Sequence, residues 1–311
     1  MKKIIVTNCT SRKRLHDLQP VALKGDDFTS VIAMAKSWQQ QIDEQTPSMA
    51  ASTLYVGRSV TDAKHTAEKL NAKLMFVSTG LGLIDSDSKH PPYDLTINST
   101  PNSILPHLIK LKASAQDWWE AINSIQTEKR TLSSIISAHD VSLVMIALPS
   151  SYIQLIKKDL AQIKSTDIEK LRIFTSRPGL KILPEHLKAA VMPYDERLES
   201  SQLPGTRNDF PQRALRHFID VLDLSTASSD EAKANVSLAM SQLSIATKII
   251  RQRLSDHDIS SLLKSSWAKH NGSSTLLLRY LRDVALVSCE QSRFRKIWLD
   301  VKKQKQNTRE V

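Results

Sequence analysis

The tripeptide Pro-Tyr-Asp occurs twice in this chain, at residues 92–94 and 193–195. Each copy follows an apolar run that ends in hydroxyl residues and glycine, which is typical of a strand and its exit loop. Tyrosine supplies a flat ring and a hydroxyl, and a carboxylate can activate water or stabilise a developing positive charge. We therefore take Asp94 and Asp195 as candidate catalytic residues, with Tyr93 and Tyr194 as their substrate-binding neighbours.

A third carboxylate, Asp209, lies in a polar loop directly after Arg207 and Asn208. We include Asp209 among the catalytic candidates and its two neighbours among the binding candidates. Each aspartate alone is also typical of an Asx turn or a helix cap. Asp94 is favoured, because it opens no predicted helix and because the glycine-rich segment before it has no counterpart in the second copy.

The elements that position these residues alternate between strands and helices. The predicted strands are 4–7, 54–56, 74–77, 141–148, 171–174 and 191–192. Helical periodicity covers 28–45, parts of 100–139, 153–163 and 214–222. This alternation predicts an α/β fold with a mostly parallel, doubly wound sheet.

Loops at the carboxyl ends of parallel strands meet at one edge of the sheet, where such folds bind ligands. Hydroxyls, amides and free backbone N–H groups there could hold a base edge or a phosphate. The binding residues expected at this edge are Asn8, Cys9, Ser11, Lys13, Gly57, Arg58, Ser59, Ser78, Thr79, Gly80 and Ser150.

Positive charge is concentrated near the end of the chain. Residues 225–311 carry 15 Lys and Arg against 8 Asp and Glu, a net charge of +7 out of +11 for the whole chain. Such an excess favours a polyanionic partner, which we take to be DNA. The Ser-rich stretch 225–231 marks the predicted boundary between an α/β domain, 1–224, and a basic helical domain, 225–311.

The basic region has the layout of a helix-turn-helix. Ser255 is a predicted N-cap, Gly272 lies in a turn, and helices are expected at 274–286 and 289–303. The alternative is a plain three-helix bundle with a solvated basic face. The residues expected to contact DNA are Arg279, Arg282, Arg293, Arg295 and Lys296.

Several classes of site are not predicted. Cys9 and Cys289 are far apart and suggest no disulfide framework, and the nine histidines form no metal-binding motif. Nucleotide-cofactor motifs are missing, so we expect neither a metal nor a cofactor. No apolar stretch has the length of a signal peptide or membrane helix, which favours a cytoplasmic protein.

Four segments of the first hundred residues resemble the YaaA-like superfamily of bacterial proteins. They are Asn-Cys-Thr-Ser-Arg-Lys at 8–13, Leu-Tyr-Val-Gly-Arg-Ser at 54–59, Phe-Val-Ser-Thr-Gly-Leu-Gly-Leu-Ile at 76–84 and Pro-Tyr-Asp-Leu-Thr at 92–96. That superfamily includes a peroxide-stress protein associated with DNA. With the basic tail, the chain is similar to anti-phage DNA glycosylases that remove glucosylated cytosine.

The resemblance implies a DNA N-glycosylase acting on modified bases in phage defence. In this interpretation the target base is flipped into the edge of the sheet, and an aspartate assists its departure. Two alternatives remain open from the sequence. The chain could be a non-catalytic DNA-binding protein of the stress-response type, or an N-glycosidase acting on free nucleotides.

Overall fold

The computed structural model describes residues 1–15, 19–100, 102–126, 130–203, 205–245 and 251–307. The chain divides into two units, Met1–Ala246 and Thr247–Val311. The first unit extends beyond the boundary at 224/225 predicted from the sequence. It does so because a helix at Ser229–Ser241 contributes Ala232, Val236 and Met240 to its hydrophobic core.

Nine strands are described in the first unit. They are β1 (Lys2–Asn8), β2 (Val21–Ala22), β3 (Met49–Ala50), β4 (Lys73–Ser78), β5 (Gly82–Asp85), β6 (Lys89–His90), β7 (Tyr93–Asp94), β8 (Val141–Ala147) and β9 (Leu171–Phe174). Five of them form the central sheet, in the order β5-β4-β1-β8-β9. Only β5 runs antiparallel to its neighbour, so the sheet is mostly parallel, as the sequence predicts.

Burial explains why these segments form the sheet. The apolar runs of β1, β4, β8 and β9 are covered almost completely, as expected for parallel strands that helices enclose. The strand predicted at 54–56 is wrong. Leu54 ends a short helix, and Tyr55 makes a single bridge to Lys13 before the next helix begins at Arg58. The strand predicted at 191–192 is likewise reduced to a single bridge, between Val191 and Ile173.

Eleven helices accompany these strands in the described part of the first unit. They are α1 (Val31–Asp43), α2 (Ala51–Leu54), α3 (Arg58–Leu70), α4 (Leu105–Lys110), α5 (Ala115–Ser124), α6 (Leu132–Ile136), α7 (Ser150–Leu155), α8 (Lys157–Ala161), α9 (Arg177–Ile182), α10 (Phe210–Asp220) and α11 (Ser229–Ser241). Short 3-10 helices lie at Ser165–Lys170, Glu185–Ala190, Glu196–Ser200 and Arg207–Asp209. Helix α3 packs on α10, whereas α5 packs on α1 and α7.

Ion pairs hold α10 against α3. The Arg216 guanidinium lies 2.8 Å from the buried Asp62 carboxylate and 3.0 Å from Asp220. His65 and Lys69 of α3 contact the same Asp220 at 2.8 and 3.1 Å. This network holds α10 against α3. Gln212 of α10 then contacts Thr7 at the end of β1 and Ala147 at the end of β8.

The second unit is helical. It contains α12 (Asp256–Ser266), α13 (Ser274–Arg279), which continues as a π-helical turn at Tyr280–Val284, and α14 (Gln291–Asn307). The Ser255 hydroxyl accepts the backbone N–H of Asp258 at 3.2 Å, which confirms the predicted cap. Of the helices described in both units, none combines the length and apolar character that crossing a bilayer requires.

Candidate active site and nucleic-acid interface

Three buried hydroxyls meet at the carboxyl end of β4. The Tyr93 hydroxyl lies 2.7 Å from Ser78 Oγ and 2.8 Å from the Tyr55 hydroxyl, and Tyr55 is 3.2 Å from Ser78 Oγ. Burial raises the pKa of both Tyr55 and Tyr93, so the two phenols stay protonated. The network ties β7 and the segment after α2 to the central sheet.

The loop after β4 is held by two tryptophans. Trp38 donates its indole N–H to the Gly80 carbonyl at 2.6 Å, and Trp118 donates to the Thr79 carbonyl at 2.7 Å. A methyl group on Gly80 would lie 2.8 Å from the Tyr93 ring. Glycine at this position thus allows the loop to lie directly against the tyrosine.

Cys9 follows β1 and is buried beside α7. Its Sγ lies 3.1 Å from the Tyr152 hydroxyl, which also lies 3.1 Å from the Cys9 carbonyl oxygen. Burial raises the pKa of Tyr152 well above its usual value. Ser150 lies at the first turn of the same short helix and is half-buried.

Gln212 of α10 joins the ends of β1 and β8. Its amide nitrogen lies 2.8 to 2.9 Å from Thr7 Oγ1, Asn8 Oδ1 and the Ala147 carbonyl oxygen. Its Oε1 is buried and has no hydrogen-bond partner among the described residues. Gln212 is not among the residues predicted from the sequence, although an amide between the apolar residues of α10 is a signal that points to it.

Lys13 and Asp94 are neighbours at this edge. Lys13 Nζ lies 4.3 Å from the centre of the Tyr93 ring, a cation–π contact. Burial lowers the pKa of Lys13, and the negative charge of Asp94 opposes part of that shift. Asp94 is half-buried, and its carboxylate accepts a hydrogen bond from the Asn102 amide. Lys13 therefore lies over the neutral Tyr93 phenol, and the Asp94 carboxylate belongs to the next residue along the chain.

The predicted binding loops around this group are joined by backbone contacts. Val56 N–H donates to the Arg12 carbonyl at 3.2 Å, and Thr10 Oγ1 donates to the Val56 carbonyl at 3.0 Å. Gly57, with φ +126°, then opens α3, with Arg58 exposed and Ser59 half-buried in its first turn. Ser11 is exposed, whereas Asn8, Cys9, Ser78 and Thr79 are buried.

The second Pro-Tyr-Asp copy contacts different residues. The Tyr194 ring packs against Phe174 and His217, and its hydroxyl lies 3.1 Å from His217 Nδ1. Asp195 caps a 3-10 helix and pairs with Arg197 at 2.6 Å. Hydrogen bonds from Arg197 lower the pKa of Asp195. These contacts give Asp195 a role in holding its own loop.

Asp209 is also engaged in local structure. It is buried and forms a capping box with Thr206, whose N–H donates to Oδ1 at 2.7 Å. Arg213 lies 3.8 Å away and pairs with Glu199 at 2.7 Å. Arg207 and Asn208 are exposed in the short 3-10 helix before it.

The rings of Tyr93 and Tyr194 are covered. Tyr93 is 0% exposed and Tyr194 is 7% exposed. The described conformation therefore leaves neither ring open for stacking on a flipped base, and places Tyr93 as a support beneath Lys13 instead. In the described residues, no group of three or more His, Cys, Asp or Glu side chains could hold a metal ion.

The candidate DNA contacts of the second unit fall into two groups. Arg293 donates to Asp256 and to the Leu254 carbonyl, and Arg282 donates to the Cys289 carbonyl, so both hold the unit together. The other three candidates are exposed and make no hydrogen bond or ion pair with any described residue. They are Arg279, Arg295 and Lys296.

Arg279 and Arg282, one from each group, line a cavity of about 500 Å³ in the second unit. Arg279 and Arg282 are joined there by Arg251, and Thr275 and Ser288 add hydroxyls. Asp283 also lines this cavity and pairs with Arg251 at 3.3 Å, so part of the positive charge there is neutralised.

Comparisons of this chain with protein-family models, with curated proteins and with solved structures gave no match. The resemblance to the YaaA-like superfamily therefore stays a prediction.

Proposed function

We propose that this protein is a DNA N-glycosylase that releases modified bases. The observation that carries the proposal is the position of Lys13 over the ring of Tyr93, with Asp94 the next residue along β7, at the edge of a mostly parallel sheet. Such edges are where open α/β folds bind ligands. The resemblance of the surrounding segments to the YaaA-like superfamily supports the same assignment.

The chemistry requires the bond between C1′ and the base nitrogen to break. The base leaves with the bonding electron pair, water adds to C1′, and the proton of that water is taken up. A carboxylate beside C1′ stabilises the oxocarbenium-like centre and accepts this proton, which is the role we assign to Asp94. The Lys13 ammonium stabilises the negative charge that develops on the leaving base.

The remaining edge residues would bind the nucleotide around this pair. The first turn of α3, with Arg58 and Ser59, presents free N–H groups suited to a phosphate. Asn8, Cys9, Ser78, Thr79 and Gly80 would shape the floor of the site. We assign Tyr55 and Tyr93 to positioning Lys13, and Asp195 and Asp209 to holding their loops.

DNA would be held mainly through phosphate contacts of the second unit. Helices α12 and α13, joined by a turn at 267–273, are consistent with a helix-turn-helix, and Arg279, Arg295 and Lys296 are available for phosphates. In the first unit, we infer that helices cover both faces of the central sheet. That arrangement is the doubly wound fold predicted from the sequence.

The proposal is tested by incubating the protein with phage DNA that carries glucosylated cytosine. Unmodified DNA of the same sequence serves as the matched control. We expect abasic sites, detected as alkali-sensitive strand breaks, in the modified DNA and few in the control. If the modified DNA acquires no abasic sites above background, the glycosylase proposal fails.

A non-catalytic DNA-binding protein is the second candidate, and the burial of Tyr55 and Tyr93 favours it. The residues at the edge of the sheet would then have only a structural role, and only the basic second unit would bind DNA. Duplex binding that weakens steeply with salt, without base release from any DNA, would support this candidate. Base release from mononucleotides alone would instead identify a nucleotide N-glycosidase.

A further inference from the structure

Two tryptophans of the second unit form a partly exposed aromatic pair. The Trp267 and Trp298 ring centres are 6.2 Å apart, with the planes 22° from parallel. The other three tryptophans of the chain, Trp38, Trp118 and Trp119, are at most 3% exposed. Trp267 and Trp298 are therefore the tryptophans whose rings a ligand could reach.

The pair is held in position by Gly272. Trp298 donates its indole N–H to the Gly272 carbonyl at 3.0 Å. Gly272 has φ +63°, and a methyl group there would lie 2.8 Å from the Trp267 ring. Both rings are thus fixed by one backbone position that requires glycine.

Lysines lie beside the aromatic pair. Lys302 Nζ is 5.2 Å from the centre of the Trp298 ring. Lys302 and Lys305 line a cleft of about 310 Å³ with the two tryptophans, Asn271 and Gln306. The cleft combines flat apolar faces with positive charge and contains no carboxylate among its lining residues.

We propose that this cleft binds an unpaired base of single-stranded DNA. Aromatic faces stack on bases whatever their sequence, and adjacent lysines neutralise the flanking phosphates. A paired base has its faces covered by its neighbours, so the cleft selects single strands over duplex. This inference goes beyond the proposed function, because strand binding here does not require base excision in the first unit.

The test uses the whole protein and its tryptophan fluorescence. One probe is an oligothymidine of about twelve nucleotides, and the other is an abasic oligomer with the same number of phosphates. We expect the thymidine oligomer to quench the fluorescence and to bind roughly tenfold more tightly than the abasic one. Equal affinity of the two probes would overturn the proposal, because phosphate contacts alone would then explain binding.

Matched variants locate the site. We expect Trp298→Leu to remove the preference for the thymidine oligomer, and Trp298→Phe to keep most of it. Lys302→Ala should weaken binding severalfold more than Lys303→Ala, which removes an exposed lysine from the same helix outside the cleft. A Trp298→Leu protein that is folded by circular dichroism and keeps the full preference would contradict the proposed site.

The result separates from that of the glycosylase test. If the wild-type protein shows no preference for the thymidine oligomer, the proposal that the cleft binds a base is rejected. The glycosylase proposal is then judged separately, by abasic sites. Absence of abasic sites, with the thymidine preference intact, rejects the proposed function and supports the cleft.

Discussion

At the scale of single residues, the two Pro-Tyr-Asp copies show that neighbours decide what an aspartate does. Asp94 is held by the Asn102 amide and follows the tyrosine on which Lys13 lies. Asp195 is neutralised by Arg197, two residues along the chain. The sequence already favoured Asp94 from the glycine-rich segment before it, but the partners of each aspartate depend on backbone geometry and were not predictable.

His217 provides a pH-dependent test of the packing around the second copy. Burial lowers the pKa of this histidine, and its Nδ1 faces the Tyr194 hydroxyl. The folded state therefore binds its proton less readily than the unfolded state, whose pKa is about 6.5. The stability it contributes is present above about pH 6.5 and is lost as the pH falls toward the lowered folded pKa.

We expect His217→Gln to reduce this loss of stability between about pH 7 and pH 5. Urea unfolding midpoints measured across that range give the comparison. His139→Gln, which changes an exposed histidine in the same unit, is the matched control. An unaltered profile in His217→Gln would show that this histidine is not the titrating group. His90, whose pKa burial also lowers, contributes to the slope with the same sign.

At the scale of elements, the main strands were predictable and the site network was not. The apolar runs at β1, β4, β8 and β9 identify buried strands directly. The segment 54–56 failed because three apolar residues cannot distinguish a strand from the end of a helix. The Tyr55, Ser78 and Tyr93 contacts join residues far apart in sequence, and only the arrangement of the chain shows them.

The hydroxyl network predicts a difference between two matched tyrosine substitutions. Tyr93→Phe removes a hydroxyl shared by Ser78 and Tyr55, whereas Tyr194→Phe removes one contact with His217. We expect Tyr93→Phe to destabilise the protein by about 1–2 kcal/mol and Tyr194→Phe by less. Urea unfolding measures both at one pH. If Tyr194→Phe lost more stability than Tyr93→Phe, the hydroxyl network would not be the more stabilising of the two sets of contacts.

At the scale of the whole molecule, positive charge is concentrated in the second unit. Residues 247–311 carry 14 Lys and Arg against 6 Asp and Glu, a net charge of +8 out of +11. The excess charge was predictable from composition, but which basic residues are exposed and available to the proposed DNA partner was not. The structure ties Arg282 and Arg293 to backbone carbonyls, and leaves Arg279, Arg295 and Lys296 exposed.

The salt dependence of DNA binding tests which of these basic residues contact phosphates. Each phosphate contact that is lost should lower the slope of log affinity against log salt by about 1. We expect this change for Arg279→Ala and for Lys296→Ala, measured by fluorescence anisotropy on duplex DNA. Arg293→Ala should mainly reduce thermal stability, because it breaks the contacts with Asp256 and Leu254. Equal slopes for Arg279→Ala, Lys296→Ala and the wild-type protein would argue against these contacts.

The proposed role of Asp94 in base release can be measured in a single turnover. The rate of base release from modified DNA is compared between Asp94→Asn and Asp195→Asn. We expect a loss of about 10²- to 10⁴-fold for Asp94→Asn and a nearly unchanged rate for folded Asp195→Asn. A wild-type rate in Asp94→Asn would show that this carboxylate does not assist base release.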